Sequence, residues 1–324
     1  MRANSTGSLE DTLKAISLSL GTIQIAHSPL SQEVSPLRET VKEVMENLER
    51  YAYGTKDFPG IKTGLRGIDD YLFGLNPGLI VFGARPYLPL QELAINIALN
   101  TSEEHHVLYA TGNITKELFT QKALEMLADF HRGELSNCLT PEFFQSRMKS
   151  LILPASTLTK KINLLLSDNI RSAYQLSKQC AYLKAKTGLD LLIVDTFQDL
   201  LPEIRDSREA QVFAEQAARE LKNLSTTYDL PILVLSELSS EVDRRVKSTR
   251  PKIGHLRDYG ALEYRANQIV LLHSTRFDNE RDQIDDDKIN LLIDRNDRGP
   301  LTEVSLTYHD KGKFSDRLRG VDIF

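Results

Sequence analysis

The sequence has no tryptophan and only two cysteines among its 324 residues. Cys138 and Cys180 share no CxxC or Cys/His spacing, which argues against a disulfide framework and against a zinc site. Two reduced, packed thiols are expected. No apolar run reaches the ~18–20 residues that would cross a bilayer. The opening "MRANSTGSLEDTLK" lacks the basic start, continuous apolar stretch and small-residue cleavage site of a signal peptide. A cytoplasmic protein with no membrane partner is therefore the expectation. Neither sign of charge dominates. The formal net charge of −5 leaves no global basic footprint, so any nucleic-acid contact must be local. Repeats and low-complexity tracts are absent as well.

What is present is enough chain for a substantial core, with apolar and charged fractions ordinary for a globular protein. Residues 1–35 are polar at first, then alternate apolar and polar through "AISLSLGTIQIAHSPL", which suits either a short strand pair or a docking segment. "SPLRETVKEVMENLERYAYG" predicts a helix: Ser35 caps it, Pro36 suits its first turn and Gly54 follows its end. Leu37, Val41, Val44, Met45, Leu48 and Tyr51 form one apolar stripe at helical spacing. From periodicity alone, that stripe is expected to pack on its own domain.

From residue 57 onward, short apolar runs alternate with helical stretches. "GLIVFGA", "HVLYAT", "DLLIVDT", "LPILVLSE" and "NQIVLLHS" are nearly continuous, as strands buried on both faces of a parallel sheet should be. "INLLIDR" and "LTEVSLTYH", on either side of Gly299-Pro300, look antiparallel. Amphipathic stretches such as "KELFTQKALEMLADFHR" and "REAQVFAEQAARELKNLSTTYD" lie between the runs. The pattern predicts an α/β fold, a mostly parallel twisted sheet with helices on both faces. Ligands in that architecture bind at the carboxyl ends of the strands.

"LIVFGARPYLPLQELAINIALN", residues 79–100, runs from a strand through a loop with Gly83, Arg85 and Pro86 into a helix. Many proteins hold nucleotide phosphates in that setting, yet no Lys-Ser or Lys-Thr pair closes the loop. "GLDLLIVDTFQDLLPEI" ends a strand on Asp195, with Thr196 and Gln198 beyond it. A carboxylate there suits a phosphate-bound magnesium ion; a strand-end aspartate that caps a turn is the plainer alternative. After "LPILVLSE" a loop carries Arg244, Arg245, Lys247, Arg250 and Lys252, five cations in nine positions. Such a loop neutralises a nucleic-acid backbone without reading bases. It equally suits solvated surface, with Glu241 and Asp243 beside the cations.

Taken in order, these pieces resemble the RecA-like motor domain of DnaB-type replicative helicases. "FPGIKTGLRGIDDYLFGLNPGLIVFGARP" is similar to that family's Gly-x-x-Thr-Gly turn, Leu-Asp pair, Gly-Leu-x-Pro-Gly and Ala-Arg-Pro loop. "LLIVDTFQDL" resembles its magnesium-carboxylate strand and the glutamine after it. "PILVLSELSSEVDRR", continuing to "RPKIGHLRDYGALEYRAN", resembles its sensor strand, DNA loop and Asp-Leu-Arg-x-Ser-Gly-x-Ile-Glu segment, which brings in Arg257 and Glu263. "NDRGPLTEVSLTYHDKGKF" resembles its final Arg-Asn-Gly-Pro hairpin. The likeness covers roughly residues 36–324. It implies an N-terminal extension over 1–35, too short for the family's helical N-terminal domain, a linker helix over 36–56 and a RecA-like domain over 57–324. It also reverses the expectation for the linker helix, whose family counterpart packs on the adjacent motor domain.

The departures from the family fall on one chemistry. Where the family has Ser-Met-Gly-Lys-Thr, this chain has Tyr87, Leu88, Pro89, Leu90 and Gln91. Leu90 takes the place of the phosphate lysine, Gln91 that of the magnesium hydroxyl and Pro89 that of a glycine. Proline has no N–H, and leucine, expected to face the phosphate position, brings no charge. About three charge-assisted bonds at ~1.5–3 kcal/mol each are lost, roughly 4–9 kcal/mol. Micromolar nucleotide binding amounts to only about −8 kcal/mol. Asn113 replaces the glutamate that polarises the attacking water in the family, and Glu117, one turn later, is expected on the surface. In the family the final hairpin supplies cations in trans to a neighbour's phosphates; here Asp297 replaces the arginine finger, with Arg295 and Arg298 beside it.

The resemblance with these losses implies a pseudo-ATPase that needs no cofactor and keeps Asp195 as inherited architecture. Its partners are then single-stranded DNA, a DnaB-type helicase or further copies of itself. One alternative is an active ATP-dependent helicase with an atypical phosphate loop, using ATP and magnesium through Arg85, Asp195, Gln198, Arg295 and Arg298. Another is an interfering subunit of a helicase ring.

Overall fold

A computed structural model of the chain describes residues 37–52, 59–128, 141–161, 163–203, 206–239, 250–256, 260–274 and 287–317. Cys138, the alternating stretch within 1–35, Arg244, Arg245, Lys247 and Arg257 lie outside them. The chain forms two units, Met1–Asp57 and Phe58–Phe324. In the first, helix α1 (Leu37–Ala52) matches the stretch whose periodicity predicts it. Leu37, Val41, Val44 and Met45 of its stripe are exposed; the side chains of Leu48 and Tyr51 are outside the described residues.

The second unit contains strands β1 (Gly78–Ala84), β2 (Val107–Thr111), β3 (Leu164–Ser167), β4 (Leu191–Asp195), β5 (Pro231–Glu237), β6 (Gln268–His273), β7 (Lys288–Asn296), β8 (Thr302–His309) and β9 (Lys313–Asp316). They form one sheet in the order β3-β2-β4-β5-β1-β6-β7-β8-β9. From β3 to β6 all neighbours are parallel, and β7 to β9 are added antiparallel. The sheet is the mostly parallel one that the apolar runs predict. Two short strands, β3 and β9, were not legible as strands in the sequence.

Among the described residues, the α-helices of this unit are α2 (Arg66–Leu72), α3 (Leu90–Thr101), α4 (Lys116–Ala128), α5 (Pro141–Ser150), α6 (Ile152–Thr159), α7 (Ala173–Lys186), α8 (Ser207–Tyr228) and α9 (Ala261–Arg265). Strand side chains alternate between two apolar cores, as a period of two requires. Ile80 and Phe82 pack with Leu93 and Ile97 of α3 and Phe119 of α4. Leu79 and Val81 pack with Leu176 and Cys180 of α7 and Leu221 of α8. Each such buried side chain contributes roughly 1.5–3 kcal/mol. This burial on both faces is why β1, β2 and β4 read as unbroken apolar runs. Cys180 is a free thiol that burial pushes up to about 12, so it is an inert packing residue.

Local chemistry fixes the ends. Ser172 caps α7 by accepting from the Gln175 N–H, and Asp206 caps α8 by accepting from the N–H groups of Arg208 and Glu209. The "GIKTG" turn closes where Gly64 takes φ +80°, a conformation that favours glycine. Thr63 there donates from its N–H and its hydroxyl to one oxygen of buried Asp69, at 2.8 and 2.9 Å. Among the described residues, no helix is long and apolar enough to cross a membrane.

Candidate functional site

Parallel pairing sets the site's location. Thr111 pairs with Asp195, and Ala84 with Glu237, so the carboxyl ends of β1, β2, β4 and β5 share one edge. The loops leaving that edge enclose a cavity of about 230 Å³ whose walls include Arg85, Leu90, Gln91, Asn113, Lys122 and Asp195. Residues scattered over a hundred positions are thus brought together where the fold predicts a ligand.

The loop after β1 turns inward on itself. The Leu88 N–H donates to the Arg85 carbonyl at 3.0 Å, and the Leu90 N–H to the Leu88 carbonyl at 2.7 Å. Pro86 and Pro89 have no N–H to give. Helix α3 starts at Leu90 behind Pro89, with no side-chain cap. Leu90 differs from expectation: it is only 8% exposed and belongs to the core that holds Leu93 and Phe119. It forms part of the cavity wall, but its side chain is a packing group, because an isobutyl group gains more from the core than from a polar cleft.

Asp195 is 1% exposed. Its Oδ2 accepts from Gln91 Nε2 at 2.7 Å and from the Tyr109 hydroxyl at 2.8 Å. Burial pushes its carboxyl above the usual range; the bonds from Tyr109 and Gln91 oppose that shift, as does the charge of Lys122. The Tyr109 phenol is itself pushed up, by burial first and then by the charge of Asp195. The turn beyond β4 is capped by Asp199, whose Oδ2 accepts from the Thr196 N–H and hydroxyl. Asp195 therefore is not the cap of that turn, and the plainer reading of it does not hold. Gln198 bonds Ser236 Oγ at 3.1 Å and accepts from the Glu237 N–H at 3.3 Å, tying the β4 loop to β5. Lys122, reaching in from α4, pairs with Glu92 of α3 at 2.6 Å.

The other expected site residues are spread more widely. Asn113 is exposed at the cavity, its N–H bonded to Thr111 Oγ1. Glu117 is exposed, in the first turn of α4. Arg295 lies opposite Ile269 of β6, and Asp297 and Arg298 follow beyond Gln268 toward the amino-terminal ends of the parallel strands, because β7 runs antiparallel to β6. Along the strands the registers put Asp195 level with Phe82 and Arg295 level with Val81, but β4 and β7 are four strand spacings apart, about 19 Å at ~4.8 Å each. There Arg295 donates to the Glu263 carbonyl, and Asp297 accepts from Asn267 at 3.0 Å. Within one chain, neither arginine reaches the cavity of Asp195. Of the loop cations, Arg250 is ion-paired with Glu303 and Lys252 is exposed.

Sequence reasoning missed Tyr109, Lys122 and Glu92. Tyr109 carried a usable signal: it lies two residues before Thr111, the register partner of Asp195, and so on the same face of the sheet. Lys122 and Glu92 carried none, since only the packing of α4 on α3 brings them together. Chemically, the cavity holds a carboxylate engaged by two neutral donors, an ammonium group engaged by a glutamate, and the buried guanidinium of Arg85 in its wall.

The model of the DnaB-like helicase C terminal domain matches residues 60–316. The chain belongs to that family. It is 24% identical over 308 residues to the replicative DNA helicase DnaC of Bacillus subtilis (strain 168), covering 93% of this chain and 66% of that protein. It is 27% identical over 259 residues to a probable plasmid replicative DNA helicase of Chlamydia psittaci, covering 79% of this chain and 55% of that one. The chain thus spans two-thirds or less of the length of these curated relatives. A solved ATPase domain superposes with a TM-score of 0.77 at 21% identity, over 88% of this chain and 100% of that chain. A DnaB-like replicative helicase, solved in a study of its interactions with primase, gives 0.73 at 21% identity, over 94% of this chain and 76% of that chain. These likenesses establish the RecA-like DnaB ATPase fold.

Proposed function

We propose that this DnaB-family chain acts in DNA replication or related DNA metabolism without hydrolysing ATP, as a partner of DNA or of a helicase ring. One observation carries the reading: Asp195 is buried and its Oδ2 is bonded directly to Gln91 and Tyr109. A magnesium-bound triphosphate would have to displace one or both donors. It would meet no lysine on the loop, two prolines without N–H, and two N–H groups already used within the loop. The residues present do not fit a magnesium nucleotide. Arg295 and Arg298 remain candidates for contact with a neighbouring subunit, and the exposed stripe of α1 is the candidate subunit-joining element. Arg244, Arg245, Lys247, Arg250 and Lys252 are the candidate DNA contacts, with Arg250 sharing its charge with Glu303.

An active ATP-dependent replicative helicase is the second reading, and Lys122 favours it. Its ammonium lies in the cavity wall, delivered by α4 in place of the loop. ATP turnover measured with and without single-stranded DNA separates the two. The proposal expects none; turnover that Asp195→Ala abolishes overturns it. Co-purification with an authentic DnaB-type helicase distinguishes a ring partner or interfering subunit from a stand-alone DNA binder.

A further inference from the structure

Helix α7, which sequence reading did not single out, carries Tyr174, Lys178, Tyr182 and Lys186 at successive four-residue steps. Such residues lie along one side of a helix. Tyr174 is 60% exposed and Tyr182 59%, high values for large aromatic side chains. The Lys178 ammonium lies 4.4 Å from the Tyr174 ring centroid, and that of Lys186 lies 5.2 Å from the Tyr182 ring. Rings and ammonium groups therefore alternate in order over roughly 18 Å, at 1.5 Å per residue. The opposite side of α7 is pinned by Leu176 and Cys180 in the core, so the ladder's orientation is fixed.

No Asp or Glu occurs anywhere from Asn169 to Leu189, although the protein as a whole carries −5. Tyrosine–lysine pairs add some tenths of a kcal/mol to any helix. That accounts for one pair. It does not account for two such pairs set end to end with both tyrosine rings left in water.

We infer that this face of α7 binds single-stranded nucleic acid, with phosphates on Lys178 and Lys186 and bases stacked on Tyr174 and Tyr182. An acidic peptide answers the lysines and leaves the rings unused. A duplex keeps its bases stacked inside, away from the rings. A single strand supplies both charge and aromatic faces along its length. The inference is independent of the Asp195 cavity and of the Arg244–Lys252 loop.

The test uses the full chain carrying Arg244→Ala, Arg245→Ala and Lys247→Ala, so that loop binding is weakened. Anisotropy of a fluorescein-labelled oligothymidylate of about twenty nucleotides is followed across a salt series. Adding Tyr174→Ala and Tyr182→Ala is expected to weaken binding at least about tenfold. Adding Lys178→Gln and Lys186→Gln instead is expected to flatten the slope of log K against log salt by about 1.4. All four side chains are exposed and their replacements favour helix, so circular dichroism should be unchanged. The inference fails if the background protein does not bind the oligonucleotide, or if both sets leave affinity and slope unchanged. It also fails if polyglutamate binds this face in place of the oligonucleotide.

Discussion

Tyr109→Phe removes one buried hydroxyl and leaves the ring wedged edge-on against Phe119, with centroids 4.7 Å apart. The lost bond ends on a carboxylate that is 1% exposed. Hydrogen bonds to charged groups are worth about 1.5–3 kcal/mol, so stability near neutral pH should drop by that amount. The pH dependence follows from the raised pKa of Asp195. Because the folded carboxyl holds its proton more tightly than the unfolded one, stability falls as pH rises from about 3.8 through the raised folded pKa. The Tyr109 bond opposes that rise, so deleting it raises the folded pKa further. The penalty is therefore full above the folded pKa. Below it, only the ~0.5–1.5 kcal/mol of a neutral hydrogen bond remains. Urea unfolding followed by circular dichroism near neutral pH and in mild acid measures both limits. A penalty equal at both, or below about 0.5 kcal/mol at neutral pH, refutes the picture of a charged, internally clasped Asp195.

Leu90→Lys should not restore binding of magnesium-ATP in a calorimeter, because Pro89 and the internally used N–H groups persist; clear low-micromolar binding would show the loop to be more adaptable than its hydrogen bonds imply. Lys122→Met should destabilise by about 1–3 kcal/mol, since it leaves Glu92 without its partner at 2.6 Å in a mostly buried pair. Adding Glu92→Gln should recover part of that loss, and a thermal-denaturation double-mutant cycle showing strict additivity would rule the pair out as a coupled unit. Thr63→Val deletes a hydroxyl donor to Asp69, whose carboxyl burial already holds high. The expected loss is about 1–3 kcal/mol. It should grow as pH rises through the raised pKa of Asp69, and a loss unchanged from mild acid to neutral pH would show that Asp69 does not ionise over that range.

The architecture was readable in the sequence because burial on both faces leaves a plain mark. β1, β2, β4, β5 and β6 are fully or nearly fully buried, and each is a continuous apolar run. β3 escaped because its four residues are few and only half-buried, although Asn163 precedes it and Asp168-Asn169 follow it. α7 escaped because its exposed side alternates tyrosine with lysine and so blurs the apolar stripe. At the site, Asp195, Gln91, Leu90 and Asn113 were found by their order along the chain, and all four do meet at one cavity. What order does not carry is side-chain direction. Leu90 was expected to face the phosphate position but packs into the core. Asp195 was weighed as a turn cap, a task that Asp199 performs. Arg295 and Arg298 stand on β7 and just beyond it, four strands from Asp195, so within one chain they do not share its cavity.

The replaced residues at the cavity depend on one another. The resemblance implies that the positions of Gln91 and Asp195 are joined through magnesium in the family; here their side chains bond directly at 2.7 Å. A hydroxyl at position 91 is too short to reach so far, whereas the glutamine amide does. Its neutral donor, with the Tyr109 hydroxyl, supplies the partial positive charge that a buried carboxylate requires. An entering magnesium nucleotide must first break bonds worth about 3–6 kcal/mol for the two together. It must recover that from a loop whose lysine is absent. Restoring the lysine alone therefore addresses only half of the barrier. Joint replacement of Leu90 by lysine and of Gln91 by threonine should yield tighter nucleotide binding than the two single effects add up to. Calorimetric titration of the two single variants and the double variant measures that coupling, and simple additivity would mean that the Gln91–Asp195 bond does not guard the cavity.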